Sequence, residues 1–186
     1  MRRLVVFNQV SLDGYFCDAH GDMSWAHKQD AEWNAFTASN ASGGGELLFG
    51  RITYEMMAGW WPTPAAAASF PTVAERMNAL PKVVFSKTLR EASWNNTRLM
   101  TGDLAAEVRT LKAEPGPGMV IMGSGRIVAQ LASAGLIDEY QIVVNAVVLG
   151  AGRSMFDGVT PRLMLKRTSA RTFENGNVFL CYQPIA

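Results

Sequence analysis

Two short segments hold the residue types that bind an anion through main-chain groups. Gly50-Arg51-Ile52-Thr53 and Gly123-Ser124-Gly125-Arg126 each follow an apolar run and open a helical pattern. A strand that ends in glycine and turns into a helix presents backbone N–H groups and the positive end of the helix dipole, which suits a phosphate or pyrophosphate. Phe85-Ser86-Lys87-Thr88 with Arg90 adds hydroxyls and two cations at the end of a third apolar run, groups that fit a phosphate monoester. Two carboxylates are candidates for orienting or protonating a substrate: Asp13, in the loop after the first apolar run, and Glu32, on one helix face with Phe36. The residues leave the choice between them open. Trp60, Trp61 and Pro62 follow the helix that starts at Arg51 and, with the Asp13 loop hinged at Gly14, are placed to close over a flat heteroaromatic ring. His20 and His27 have no partner at ligand spacing, so no metal site is expected.

To position these groups the chain must alternate strands and helices. Leu4 to Val10 is β-branched and aromatic and predicts a strand, broken by Ser11-Leu12-Asp13-Gly14. Asp30 caps a helix to about Asn40, and Glu46 to Phe49 is a short strand running into the helix at Gly50. Trp60 to the alanine run after Pro64 reads as an irregular excursion, and Thr72-Val73-Ala74-Glu75 as a capping box opening a helix closed by Pro81. Lys82 to Ser86 and Met119 to Met122 are strands, with a helix from Asp103 through Lys112 between them. The helix opened at Gly123 runs to about Ala134. A long strand spans Asp138 to Leu149, with a turn from Gly150 to Arg153. Met164 to Phe173 and Val178 to Gln183 flank Asn175-Gly176, a hairpin signal. The pattern is that of an α/β domain with a mixed central sheet.

A length of 186 residues with 48% hydrophobic and 18% charged side chains suits one globular domain that buries about two-thirds of its unfolded surface. Seventeen Lys and Arg against sixteen Asp and Glu leave a formal charge of +1, so no basic field exists to hold nucleic acid or an anionic membrane. Cys17 and Cys181 stand alone, which fits a reducing cytoplasm. After Met1-Arg2-Arg3 the apolar run lasts only from Leu4 to Phe7, too short for a signal peptide, and no run approaches the roughly 18 residues of a membrane span. A soluble cytoplasmic protein is expected. Ile142-Val143-Val144 and Ala146-Val147-Val148-Leu149 form a run apolar on both faces, from which a homodimer is expected.

Five segments in order carry a resemblance to a known family: Ser11-Leu12-Asp13-Gly14-Tyr15-Phe16, Leu48-Phe49-Gly50-Arg51-Ile52-Thr53-Tyr54-Glu55, Val83-Val84-Phe85-Ser86-Lys87-Thr88-Leu89, Val120-Ile121-Met122-Gly123-Ser124-Gly125-Arg126, and Asp138-Glu139-Tyr140-Gln141 to Val148-Leu149-Gly150-Ala151-Gly152. The chain resembles dihydrofolate-reductase-like proteins, most of all the branch similar to the C-terminal reductase domain of the riboflavin biosynthesis protein RibD. The resemblance implies one dihydrofolate reductase-like domain over 1–186: three layers, α/β/α, around a mostly parallel mixed sheet with a C-terminal antiparallel hairpin.

It also implies NADPH lying across the carboxyl ends of the strands and reducing a pterin-like or pyrimidine substrate. The implied activity is most like that of 5-amino-6-(5-phosphoribosylamino)uracil reductase. Dihydrofolate reductase activity, or nucleotide binding without efficient turnover, are the alternatives. Carried over by residue, Gly50, Arg51, Thr53, Ser86 and Lys87 meet the phosphates on the adenosine side, and the turn of Gly123, Ser124, Gly125, Arg126 and Ile127 holds the pyrophosphate. Gln9 and Phe16 border the nicotinamide, and Tyr15, Phe36, Trp60 and Trp61 line the substrate. Asp13 or Glu32 orients or protonates it. Ser124 stands where dihydrofolate reductases usually have a second glycine.

Overall fold

Leu4–Ser11 (β1) alternates fully buried and half-buried residues and lies in the middle of the sheet. The computed structural model describes residues 1–28 and 30–185. After β1 come β2 (Tyr15–Cys17), α1 (Ala31–Ser42), β3 (Glu46–Gly50), α2 (Arg51–Trp60), α3 (Pro64–Ser69) and α4 (Pro71–Ala79). Then follow β4 (Lys82–Phe85), β5 (Thr97–Met100), α5 (Leu104–Ala113), β6 (Met119–Met122), α6 (Gly125–Ser133) and β7 (Glu139–Asn145). β8 (Arg153–Ser154), β9 (Leu165–Thr172) and β10 (Val178–Pro184) complete the order.

The main sheet runs β5-β4-β3-β6-β1-β7-β10-β9. Its pairs are parallel except those made by β10, which is antiparallel to β7 and β9. A mostly parallel sheet needs cover on both faces. The pleat sends Leu4, Val6, Leu48, Val83 and Ile121 toward Val108 and Leu111 of α5 and Val128 and Leu131 of α6. It sends Leu47, Phe49 and Val84 the other way, toward Tyr54 of α2 and Met77 of α4, while Trp33 of α1 packs on Val143. The result is three layers, α/β/α. β1 and β6 pair in parallel, as do β1 and β7, so the carboxyl ends of β1, β3, β4, β6 and β7 share one edge, where the order turns back on itself.

Four sequence expectations are corrected. The alanine run is helical: Thr63 accepts from the Ala66 N–H and Pro64 sits at the first position, so α3 forms without any apolar periodicity. α4 starts at Pro71 with Phe70 at its N-cap, so Thr72 lies inside the helix and caps nothing. β7 ends at Asn145; beyond it the chain leaves the sheet, and the Val147 carbonyl accepts from the Leu12 N–H. The turn from Gly150 runs into β8, which pairs with β2 in a separate two-stranded sheet. The hairpin closes through a three-residue loop, with Phe173 N–H on the Asn177 carbonyl at 2.9 Å and Gly176 at φ +88°.

Candidate active site

The two glycine joints lie side by side because β3 pairs with β6. Gly123 and Ser124 are consecutive left-handed residues, at φ +62° and +57°. Such a conformation in Ser costs free energy and persists only when surrounding bonds hold it. Here the Ser124 N–H donates to Thr53 Oγ1 at 3.0 Å, and Ser124 Oγ accepts from the Gly50 N–H at 2.9 Å. Asn8 completes the lock, accepting from the Gly123 N–H at 2.5 Å and donating to the Gly123 carbonyl at 3.1 Å. The glycines therefore serve the protein's own packing: a Cβ on Gly123 would stand 2.8 Å from Thr53 Cγ2, and one on Gly125 2.7 Å from the Phe16 ring. Ile127 is a buried wedge between the joints, its Cδ1 3.3 Å from where a Gly50 Cβ would be.

What remains for an anion is the pair of helix starts. α1, α3 and α5 are each capped by a side chain, Asp30, Thr63 and Asp103. α4 has no side-chain cap, and its first helical residue is a proline with no N–H. α2 and α6 have no side-chain cap either, so their first-turn N–H groups and both dipole ends face the shared edge. The donor set fits a pyrophosphate, held by the main chain of Gly125 and Arg126 with that of Arg51 and Ile52 beside it. On the adjacent strand end, Ser86 Oγ accepts from the N–H groups of Thr88 and Leu89, shaping the turn that carries the exposed Lys87. Arg51, also exposed, pairs with Glu55 one helical turn on, at 3.0 Å. Such surface pairs are weak, so the guanidinium is readily exchanged to a phosphate.

The two carboxylates are anchors. Asp13 accepts from the backbone N–H of Leu149 at 3.2 Å and of Gly150 at 2.8 Å, tying the loop after β1 to the segment after β7. The Ser11 hydroxyl and those two N–H groups hold its carboxyl below the usual range. Glu32 accepts from Arg171 at 3.0 Å and from the Glu174 N–H at 3.2 Å, joining α1 to the β9–β10 hairpin, and these partners lower its pKa as well. Neither is poised to give up a proton near neutrality. Phe36 belongs to an aromatic cluster with Trp33, Phe173 and Phe179, ring centroids 5.0 to 5.3 Å away. Trp61 is likewise packed, its Nε1–H on Met57 Sδ and its ring edge-on to Phe70. Trp60 ends α2, about 14 Å along the axis from Arg51 at 1.5 Å per residue, and continues an exposed apolar stripe with Ile52 and Met56. Of the two aromatic residues on β2, Phe16 does reach the joints, its ring covering the start of α6 with the Arg153 guanidinium 5.8 Å from its centroid, whereas Tyr15 packs on Gly152.

A family model described as the RibD C-terminal domain matches residues 2–179. The chain belongs to that family. The uncharacterized protein YyaP of Bacillus subtilis (strain 168) is 26% identical over 182 residues, covering 97% of this chain and 94% of YyaP. A structure from Shewanella sp. PV-4, provisionally named for riboflavin biosynthesis, superposes with a TM-score of 0.75 at 22% identity and 99% coverage of both chains. Dihydrofolate reductase from Enterococcus faecalis, solved with NADP(H), superposes with a TM-score of 0.67 at 14% identity over 99% of this chain and 97% of that one. The fold is thus dihydrofolate reductase-like.

In this RibD C-terminal domain two buried polar residues, Asn8 and Asn145, join the site without having been singled out by residue type or spacing, and a third, Asn177, is buried next to the strand residue that faces Val144. Asn8 is almost fully buried and breaks the series Leu4, Val6, Asn8 on one face of β1; that break in an apolar alternation is its one local signal. Asn145 and Asn177 are fully buried, at the carboxyl end of β7 and just before β10. Among the described residues Asn145 Oδ1 and both polar atoms of the Asn177 side chain have no hydrogen-bond partner. No local pattern marks either residue, because their burial depends on β1 and β10 flanking β7.

Proposed function

We propose that this RibD C-terminal domain is an NADPH-dependent reductase of a pyrimidine- or pterin-like ring, most like an aminouracil reductase of riboflavin biosynthesis. The observation that carries the reading is the locked pair of uncapped helix starts at the ends of β3 and β6, flanked by Arg51 and Lys87. When bound there, NADPH supplies a hydride for an electron-poor C=N or C=O carbon. The chain's part is to hold and orient. The first N–H groups of α6 grip the pyrophosphate, Arg51 and Lys87 hold the adenosine-side phosphate, and Phe16 shields the start of α6. Asp13 and Glu32 keep the loop after β1 and the hairpin in place through Leu149, Gly150, Arg171 and Glu174, so the proton comes from a donor other than these two.

The same two carboxylates, each already engaged, favour one rival reading: a nucleotide binder without efficient turnover. Fluorescence titration with NADPH and NADH tests the first claim. Preference for NADPH that falls about 10-fold or more in Arg51→Ala/Lys87→Ala is expected, since a charge-assisted hydrogen bond is worth about 1.5–3 kcal/mol; equal affinities would sink it. Loss of nicotinamide absorbance with aminopyrimidine ribosides or pteridines separates enzyme from binder.

We also propose a homodimer. Val144 faces Val178 and Ile142 faces Leu180 across β7 and β10, all half-buried on one face. Ile142 reaches the cluster under α5 and α6, whereas among the described residues Val144, Val178 and Leu180 join no core cluster.

A further inference from the structure

We propose that Gln9 and Asn145 form a device that presents an amide N–H to the ring substrate and thereby selects a ring bearing a carbonyl oxygen. The proposal rests on the reductase reading for there being a ring substrate at all, but its geometry is independent of the phosphate site.

Successive side chains of β1 alternate between the two faces of the sheet. Asn8 points to the α6 side, where it binds Gly123. Gln9 therefore points to the opposite side. It sits in register with Val143, the residue packed under Trp33 of α1. That is the face of α1 and α2, not the face of the glycine turn, so Gln9, which the family resemblance sets at the border of the nicotinamide, is placed for a ring beside α1.

Main-chain carbonyls fix the orientation of both amides. Asn145 Nδ2 lies 3.2 Å from the Val10 carbonyl, 3.4 Å from the Val143 carbonyl and 3.3 Å from Gln9 Oε1. Main-chain carbonyls only accept, so the atom between them must be the NH2 group of Asn145. Whatever Gln9 turns toward that NH2 must then be its oxygen. Gln9 Nε2 is left facing away, with no protein partner among the described residues, on a side chain that is only half-buried. Asn145 itself is fully buried and leaves its Oδ1 without a partner. A buried orphan acceptor is a defect for stability alone, which an apolar residue would avoid. It is accounted for if the function of Asn145 is to fix the Gln9 amide, making Asn145 a positioning residue and Gln9 the group that touches substrate.

An outward N–H pairs with a ring carbonyl, such as that of a uracil or a 4-oxopteridine, and is mismatched against an exocyclic amino group at the same position. Calorimetry with two near-isosteric probes tests this: 5,6-diaminouracil, and 2,4,5,6-tetraaminopyrimidine, in which amino groups replace both carbonyls. Both are measured at pH 8, with and without NADP+. Wild type is expected to favour the uracil at least 10-fold. Gln9→Glu, which offers only acceptors, should reverse the preference. Asn145→Leu should erase it by freeing the Gln9 amide to flip. A preference unchanged in Gln9→Glu, no preference in the wild type, or binding of neither ring would overturn the proposal; if Asn145→Leu fails to fold by circular dichroism, the Gln9 variant decides alone. NADPH titration of the same proteins reports separately on the reductase reading, since failure to bind NADPH refutes that reading while the ring measurements still decide this one.

Discussion

Gly123→Ala should damage the joint between the two helix starts by an amount that can be worked out in two parts. At φ +62° an L side chain sits in the left-handed region, a cost of about 1–2 kcal/mol. The added Cβ would meet Thr53 Cγ2 at 2.8 Å and Oγ1 at 3.1 Å, an overpacking cost of about 1–3 kcal/mol because a β-branched side chain has few rotamers to retreat into. The total is about 2–5 kcal/mol. With a urea slope of about 2 kcal/mol per molar, the unfolding midpoint falls by about 1–2.5 M. Thr53→Ser removes Cγ2 yet keeps the hydroxyl that accepts the Ser124 N–H. In the double variant the overpacking part should therefore return and the backbone part should not, a coupling of about 1–3 kcal/mol in a double-mutant cycle. The assay is tryptophan fluorescence over a urea series for all four proteins, with NADPH titration alongside. An additive cycle, or a single variant within about 0.5 kcal/mol of wild type, would refute the reasoning.

Burial pushes the Lys82 amine down to about 8, while its Nζ donates to the carbonyls of Asn78, Leu80 and Asn95. Between pH 8 and 10.5 the unfolded chain keeps a proton that the folded chain has lost, so stability should rise with pH there. The rise is bounded at about 3 kcal/mol and lessened by the three carbonyls, which favour the charged amine. Lys82→Met should abolish it, and an unchanged slope between midpoints at pH 8 and 10 would contradict the assignment. For Asp13 and Glu32 the folded values are lowered too, so stability again rises with pH, now in the acid range: what they add is present above the ordinary carboxylate range and fades as pH falls through their folded values. Asp13→Asn and Glu32→Gln should leave the pH–rate profile above pH 6 unshifted; a displaced apparent pKa near neutrality would identify a true acid. Light scattering at micromolar concentration should give twice the chain mass, falling to one chain in Val144→Arg, and a monomeric wild type would end the dimer proposal.

Features governed by close neighbours along the chain are legible in the sequence itself. The alternation in β1, the apolar run of β6, the caps at Asp30 and Asp103 and the Asn175-Gly176 turn all act within a few residues. The glycine joints at Gly50 and Gly123 are local for the same reason, since a strand ending in glycine before a helix is written in four residues. β5 is not legible in this way because its four residues form an edge that bonds only to β4. Nor are β2 and β8, because each short strand exists only by pairing with the other, 136 residues away at Cys17 and Arg153.

Residue types and spacing alone determined that the chain is an α/β domain with two anion-competent strand-to-helix turns and two cations near them. Which groups remain free to act was decided by the tertiary structure. β3 meeting β6 uses Ser124 and Thr53 to lock the joints together; the hairpin returning beside α1 takes Glu32; the segment after β7 takes Asp13; and the pleat of β1 turns Gln9 away from Asn8. A hydrogen-bonding side chain takes whichever partner the fold brings within about 3 Å, and strand pairing across 70 to 140 residues sets that partner, a distance over which no local pattern in the sequence carries information.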